Sequence, residues 1–212
     1  MDLKKVHNKA NAVMNDRRSI REYDTSIKIE RDEMRNIIQD AMTAPSSFNM
    51  QPWRFVVVDT PEGKAKTKPY MMFNQRQNDT SSALIVIYTD MQNQEMIDSI
   101  LATDVKLGLR EEDNMEKMAT MIKDYRARYS PERLAESQVL DCGFVIMQLM
   151  LSAKAYGYDT NAIGGFDREN ISKVLGMDTN RYKPVLILSI GKANQEGHDS
   201  SRLSVDEVTK WI

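Results

Sequence analysis

The sequence predicts one domain built on a central β-sheet with helices over both of its faces. Three β-branched runs predict the sheet: FVVV within Trp53 to Asp59, ALIVIYT from Ala83 to Thr89, and PVLILSI from Pro184 to Ile190. The last two are apolar at odd and even positions alike, the pattern of strands buried on both faces. The helices are predicted by a different period. Met34, Ile37, Ile38, Ala41 and Met42 fill the i, i+3, i+4, i+7, i+8 positions of one helix face in full.

Along the chain, Leu3, Val6, Ala10, Val13 and Met14 place a first helix near the N-terminus. No continuous apolar stretch follows its basic residues, so it does not read as a signal peptide. The second helix must stop near Ala44, because Pro45 disfavours helical geometry in the residue before it. Ser46, Ser47 and Asn49 then form a polar loop leading into the first strand. Between the second and third strands the pattern is mainly helical, with Met115, Met118, Ile122 and Tyr125 on one face. The strongly charged part, residues 92–136, is expected to project from the core as a helical excursion covering a site. The helix after it ends at Gly157 and is apolar nearly all round, which buries it in the domain or in a subunit interface. Its most apolar part, Val139 to Leu151, is interrupted by Asp141 and Gln148 and falls short of the roughly 20 residues that cross a bilayer. The tail from Asn194 is polar until Leu203, Val205, Val208 and Trp211, residues expected to pack on something, a partner subunit included.

Composition narrows the function classes. The chain has 212 residues, 41% hydrophobic and 28% charged, enough to bury one sizeable core. With 29 basic and 31 acidic residues the net charge is -2, so nothing draws the whole chain to nucleic acid. Cys142 is the only cysteine, which leaves no intramolecular disulfide, cysteine-rich zinc site or CxxC pair and fits a reducing cytoplasm. The two histidines, His7 and His198, stand in polar surroundings near the termini, so a histidine triad or metal site is not expected. Neither GxGxxG nor GxxxxGK[ST] occurs, and any redox chemistry therefore needs a cofactor held in another way. The 15 methionines serve either as core filling or as an adaptable substrate surface.

Three short motifs carry candidate chemistry. Arg17, Arg18, Ser19, Ile20 and Arg21 bring three guanidinium groups and a hydroxyl together. Such a set suits a phosphate, since each charge-assisted bond from an arginine fork contributes about 1.5–3 kcal/mol; it also describes a solvated basic turn. Pro45 to Trp53 alternates hydroxyls and amides with rigid prolines, fit for the edge of a polar ring system or for an ordinary loop. In Ala162-Ile163-Gly164-Gly165-Phe166 the paired glycines either let backbone N–H groups approach a ligand or simply make a turn.

Taken together, RRSIREY, APSSFNMQPWRFVVV, FNQR at positions 73 to 76, GYDTNAIGGF and a terminal SSRL resemble the flavin-dependent nitroreductase family, in its order and at similar spacings over nearly the whole chain. Residues 92–136 are the part that does not align. The resemblance implies a nitroreductase-like α+β fold with a central, mainly antiparallel sheet surrounded by helices, and an intertwined homodimer with FMN at the subunit interface. It implies that Arg17, Ser19, Arg21 and Arg202 hold the FMN phosphate and ribityl chain, with Arg18 in the intervening position, and that Asn74 binds the pyrimidine edge. Pro45, Ser46, Ser47 and Asn49 would reach the same flavin from the other subunit, and the backbone N–H of Gly164 and Gly165 would face flavin N5, with Ile163 beside them in the cofactor site. The implied reaction is ping-pong hydride transfer from NADH or NADPH to a small-molecule acceptor such as a nitroaromatic or quinone, with no metal, nucleic acid or membrane involved. The alternative readings of this chain are a flavin reductase or specialised dehydrogenase on the same scaffold, or a non-catalytic FMN-binding redox protein. The chain departs from some relatives at Ser200, where they carry a lysine, and at Gly164, where some carry an acidic residue.

Overall fold

The computed structural model describes residues 9–212; Leu3, Val6 and His7, which entered the reading of the first helix and of the histidines, lie outside the described residues. Helix α1 (Lys9–Asp16) is followed by α2 (Arg31–Ala41), where Asp32 and Glu33 oppose the positive end of the helix dipole and Met34, Ile37 and Ala41 are buried. It stops just short of Pro45, and a 3-10 turn over Ser47–Asn49 leads into β1 (Trp53–Val58). Helix α3 (Pro61–Thr67) is capped by Thr60 and has Pro61 in its first turn, where a missing N–H costs nothing. Then come α4 (Gln75–Thr80), β2 (Ala83–Asp90), α5 (Ile97–Lys106) and α6 (Met115–Arg126). Helix α7 (Pro131–Ala155) is capped by Ser130 and ends where Gly157 takes a left-handed φ of 84°. The chain closes with β3 (Asp159–Ile163), α8 (Arg168–Val174), β4 (Tyr182–Gly191) and α9 (Val205–Val208).

The sheet has the order β1-β2-β4-β3, and each neighbouring pair is antiparallel. Three of its strands match the apolar runs; β3 is a correction to a region read as mainly helical. The reason is chemical. In Asp159–Ile163 the interior positions Thr160 and Asn161 are polar, so neither an apolar run nor a clean alternation marks the strand. Pro184 is tolerated inside β4 because the β2 register shifts between Ile87 and Tyr88, at the point where the missing donor falls.

Strand β2 is buried throughout. Its Ile85 and Ile87 face a core shared with Ile37 and Ala41 of α2 and Val145 and Leu149 of α7, while Leu84, Val86 and Tyr88 face a second core with Met71, Ile163 and Phe166. Helix α7 is longer than its most apolar part suggested, reaching 25 residues, and its apolar stretch has a mean hydropathy of 1.3. Length therefore does not separate it from a membrane span; its surroundings do. It lies against α2 and the sheet, and its buried Gln138 and Asp141 find hydrogen-bond partners within the fold. Helices α5 and α6 form a third, smaller core, Ile97, Leu101, Ala119 and Ile122 around Met50, which docks the excursion against the loop before β1.

Cys142 is fully buried on α7, and burial pushes its thiol up to about 12. At pH 8 only roughly one thiol in ten thousand is then the reactive thiolate. A thiol titration of the native protein should accordingly detect less than about 0.1 equivalent, against the full single cysteine in guanidinium chloride. Equal labelling rates in both conditions would contradict this placement.

Candidate functional site

The site begins with a short extended segment. Ser19 pairs with Thr160 of β3, and Ile20 N–H donates to the Thr160 carbonyl at 3.0 Å. Side chains alternate about that pairing: Ile20 turns into the interior, while Ser19 and Arg21 face outward. Farther on, the buried Tyr23 hydroxyl lies 2.8 Å from Ser189 Oγ, and burial raises its pKa well above the usual phenol value. The segment is thus fastened at both ends.

The same surface gathers two more of the sequence motifs. Glu22 forms an ion pair with Arg76 at 2.8 Å, which holds the start of α4 and with it Asn74. Asn74 Nδ2 donates to the Gly165 carbonyl at 2.9 Å, and its Oδ1 accepts from Gln77 Nε2 at 3.0 Å. Ile163 is the buried end of β3. Beyond it, Arg168 braces the loop by donating to the Pro184 and Val185 carbonyls at 2.6 and 3.0 Å and lying over the Phe166 ring. Neither Gly164 nor Gly165 has a positive φ. A Cβ at Gly164 would meet nothing within 4 Å, and at Gly165 only Asn74 Nδ2 at 3.8 Å, so open space rather than a turn distinguishes these positions.

The arginines divide. Arg17 is half-buried, and its Nε is buried without a hydrogen-bond partner among the described residues. Arg21 is exposed and has no ion pair among the described residues. Arg18 turns the other way, donating to the Asn15 and Arg17 carbonyls and pairing with Asp199 at 3.6 Å. It anchors the tail and is not gathered with the other two. Arg202 lies exposed a little farther along that tail, bonded only to Ser200 Oγ and the Ser201 carbonyl.

The second group sits elsewhere. Ser46 Oγ accepts from Gln51 N–H at 3.0 Å, Gln51 Nε2 donates to Asn49, and Pro45 and Asn49 are exposed. Phe48, Asn49 and Gln51 all take left-handed φ values, 52, 56 and 42°. Asp141, seen in the sequence only as a break in an apolar helix, holds this loop from behind. Its two carboxylate oxygens accept from Ser47 N–H at 3.1 and 3.2 Å, and burial raises its pKa above the usual carboxylate range. Phe48 also packs edge-on against Tyr125 of α6, ring centroids 4.9 Å apart. This loop precedes β1 and the glycine loop follows β3, the two outer strands of the sheet. Three strand spacings, roughly 14 Å, separate those edges.

The chain is similar to known proteins over most of its length. The Nitroreductase family model matches residues 14–192. YdgI of Bacillus subtilis, assigned as an NAD(P)H nitroreductase, is 46% identical over 199 residues, covering 94% of this chain and 95% of that protein. A crystal structure from Exiguobacterium sibiricum, of a protein assigned as a nitroreductase and in complex with FMN, has a TM-score of 0.94 at 42% identity, covering 97% of this chain and 98% of that one. The CLA biosynthesis enone reductase of Lactiplantibacillus plantarum is 38% identical, covering 98% of this chain and 96% of its own length.

Asp141→Leu removes the acceptor of Ser47 N–H, and amide hydrogen exchange across residues 45–51 should speed up about tenfold or more. Asp141→Asn keeps an acceptor oxygen and should change exchange far less. Wild-type exchange rates in the leucine variant would show that the carboxylate does not hold the loop.

Proposed function

The chain belongs to the nitroreductase family, and from that premise we propose that it is a homodimeric oxidoreductase using FMN to pass hydride from NADH or NADPH to an electron-poor acceptor such as a nitroaromatic or quinone. Arg17 carries the assignment: a buried guanidinium nitrogen without a partner, beside Ser19 and the exposed Arg21, is what an anionic group would satisfy. The glycine loop adds room for a ring system next to Asn74. The residues present therefore fit FMN.

When bound, FMN supplies the hydride chemistry. Arg17, Ser19 and Arg21 hold the phosphate and ribityl chain, and Arg202 closes on them from the tail that Arg18 anchors. Asn74 has committed one donor and one acceptor to Gly165 and Gln77, which leaves one of each for a pyrimidine edge. Gly164 and Gly165, held beside Ile163 at the end of β3, would offer backbone N–H groups to the reacting side of the ring. Pro45, Ser46, Ser47 and Asn49 reach the partner's cofactor, supported by Asp141. Position and charge are the protein's contribution, and donor and acceptor use one face in turn, in ping-pong fashion.

Unmatched apolar surface supports the dimer. Val139, Leu140, Phe144 and Met147 on the outer face of α7 are exposed in the single chain, as are Leu203, Val205, Val208 and Trp211 of the tail. A two-fold interface would bury both sets. Residues 1–212 act as one domain, with 92–136 as the excursion over the site, in a cytoplasm that keeps Cys142 reduced.

Protein supplemented with FMN and desalted should retain visible flavin absorbance, bleach anaerobically with NADPH or NADH, and regain colour with a quinone. Absence of retained flavin overturns the proposal. Arg17→Ala and Arg21→Ala should each weaken FMN binding about tenfold or more while the melting temperature of the flavin-free protein moves by less than about 3 °C. Gly165→Val should likewise cost flavin and not folding, since its side chain enters open space. Unchanged FMN affinity in all three variants would sink the site assignment.

A further inference from the structure

The end of β2, helix α6 and the start of α7 enclose a cleft of about 520 Å3. That volume suits a small organic ligand. Met91, Ile97 and Leu134 give it an apolar wall, while Lys123, Arg126 and Gln138 give it a polar one. Among the described residues no carboxylate lines it.

The polar wall is built rather than incidental. Asn93 Oδ1 accepts from Arg126 Nη2 at 2.8 Å and from Gln138 Nε2 at 2.7 Å, which fixes both side chains. After those bonds Arg126 Nε remains buried without a partner, and so does Oε1 of Gln138, a residue only 2% exposed. Arg126 has no ion pair among the described residues, and burial pulls its pKa below the usual arginine value against an opposing pull from Asp141. Lys123 has one loose partner, Asp98 at 3.8 Å. A partly desolvated cation whose nearby carboxylate, Asp141, is not in ion-pair contact gains from an anion that touches it directly. A smaller cleft of about 110 Å3 shares Arg126, Tyr129 and Leu134 with the first, adds Arg133, and reaches Ser47. The cationic wall therefore runs up to the loop assigned above to the partner's cofactor.

We propose that this cleft is an anion subsite for the electron acceptor, taking a carboxylate carried on an apolar body. Arg126 and Lys123 bind the carboxylate, Met91, Ile97 and Leu134 cover the body, and the electron-poor end passes Ser47 toward the cofactor. This rests on the function proposed above and narrows its acceptor class. Two cations beside an apolar wall match a monocarboxylate better than a dinucleotide, whose several phosphates and riboses would leave that wall unused.

The test uses 4-nitrobenzoate and its neutral methyl ester, titrated calorimetrically into the purified protein and assayed as acceptors with NADPH. Arg126→Gln and Lys123→Gln should each weaken 4-nitrobenzoate binding about tenfold or more, while affinity for the ester changes less than about twofold. In turnover the loss should fall on KM for the carboxylate. Lys123 is more than half exposed, so its variant remains informative if Arg126→Gln fails to fold. Equal losses for both probes, unchanged carboxylate binding in both variants, or an effect confined to the KM for NADPH would each overturn the subsite. Flavin retention, read on the same preparations, separates the two proposals: wild-type protein without flavin refutes the oxidoreductase assignment, while the titration still decides the subsite.

Discussion

The outer edge of β3 sets the terms for the rest of the molecule. A strand at the margin of a sheet presents unpaired N–H and C=O groups, and a folded chain must cover or pair them. Here the bond from Ile20 N–H to the Thr160 carbonyl does so, and it brings the arginine segment with it. The alternation of an extended chain then sorts the segment, apolar Ile20 inward, Ser19 and Arg21 outward. From Thr160 the strand runs roughly 10 Å to Ile163 and the glycines. A row of cationic groups, a pair of open glycines and an oriented amide at Asn74 thus share one edge as a consequence of one pairing.

A second constraint governs the root of the excursion. Asp90, fully buried at the end of β2, accepts from Arg54 at 3.0 Å and from Arg181 at 2.9 and 3.0 Å. Its charge is compensated by two partly buried guanidinium groups, so the loss of either arginine leaves the other in place, while the loss of Asp90 unpairs both. Its backbone carbonyl accepts from Gln138, and Arg181 also reaches Glu95. The excursion therefore grows from a charge-paired root and closes its own apolar cluster around Met50, apart from the two cores on the sheet.

Much of this was legible in the sequence because period and burial coincide: α2 and the runs that became β1, β2 and β4 carry their pattern in apolar residues alone. β3 does not, since its interior positions are Thr160 and Asn161 and its outer edge is completed by residues far away in the chain. The glycine pair was visible, though not its reason, which is empty space rather than backbone conformation. Nothing local distinguishes Arg17 from Arg18; only the pairing of Ser19 decides which one turns to the tail. Asp141 was visible as a polar interruption, but its acceptor role depends on Ser47, 94 positions away.

The loop before β1 bears on the shared site of the proposed homodimer. Left-handed conformations at Phe48 and Gln51 cost about 1 kcal/mol or more each and persist only where the surroundings over-determine them. Asp141 from α7, buried Met50 and the Phe48–Tyr125 contact supply that support from behind, leaving the polar atoms of Ser47 and Asn49 preorganised on the outer side. Yet within its own chain this loop is separated by the width of the sheet from the arginine and glycine edge it would complement. In the homodimer proposed above, a two-fold axis through the apolar face of α7 would resolve the mismatch without bending the sheet, by bringing the β1 edge of one copy toward the β3 edge of the other, and would do so twice.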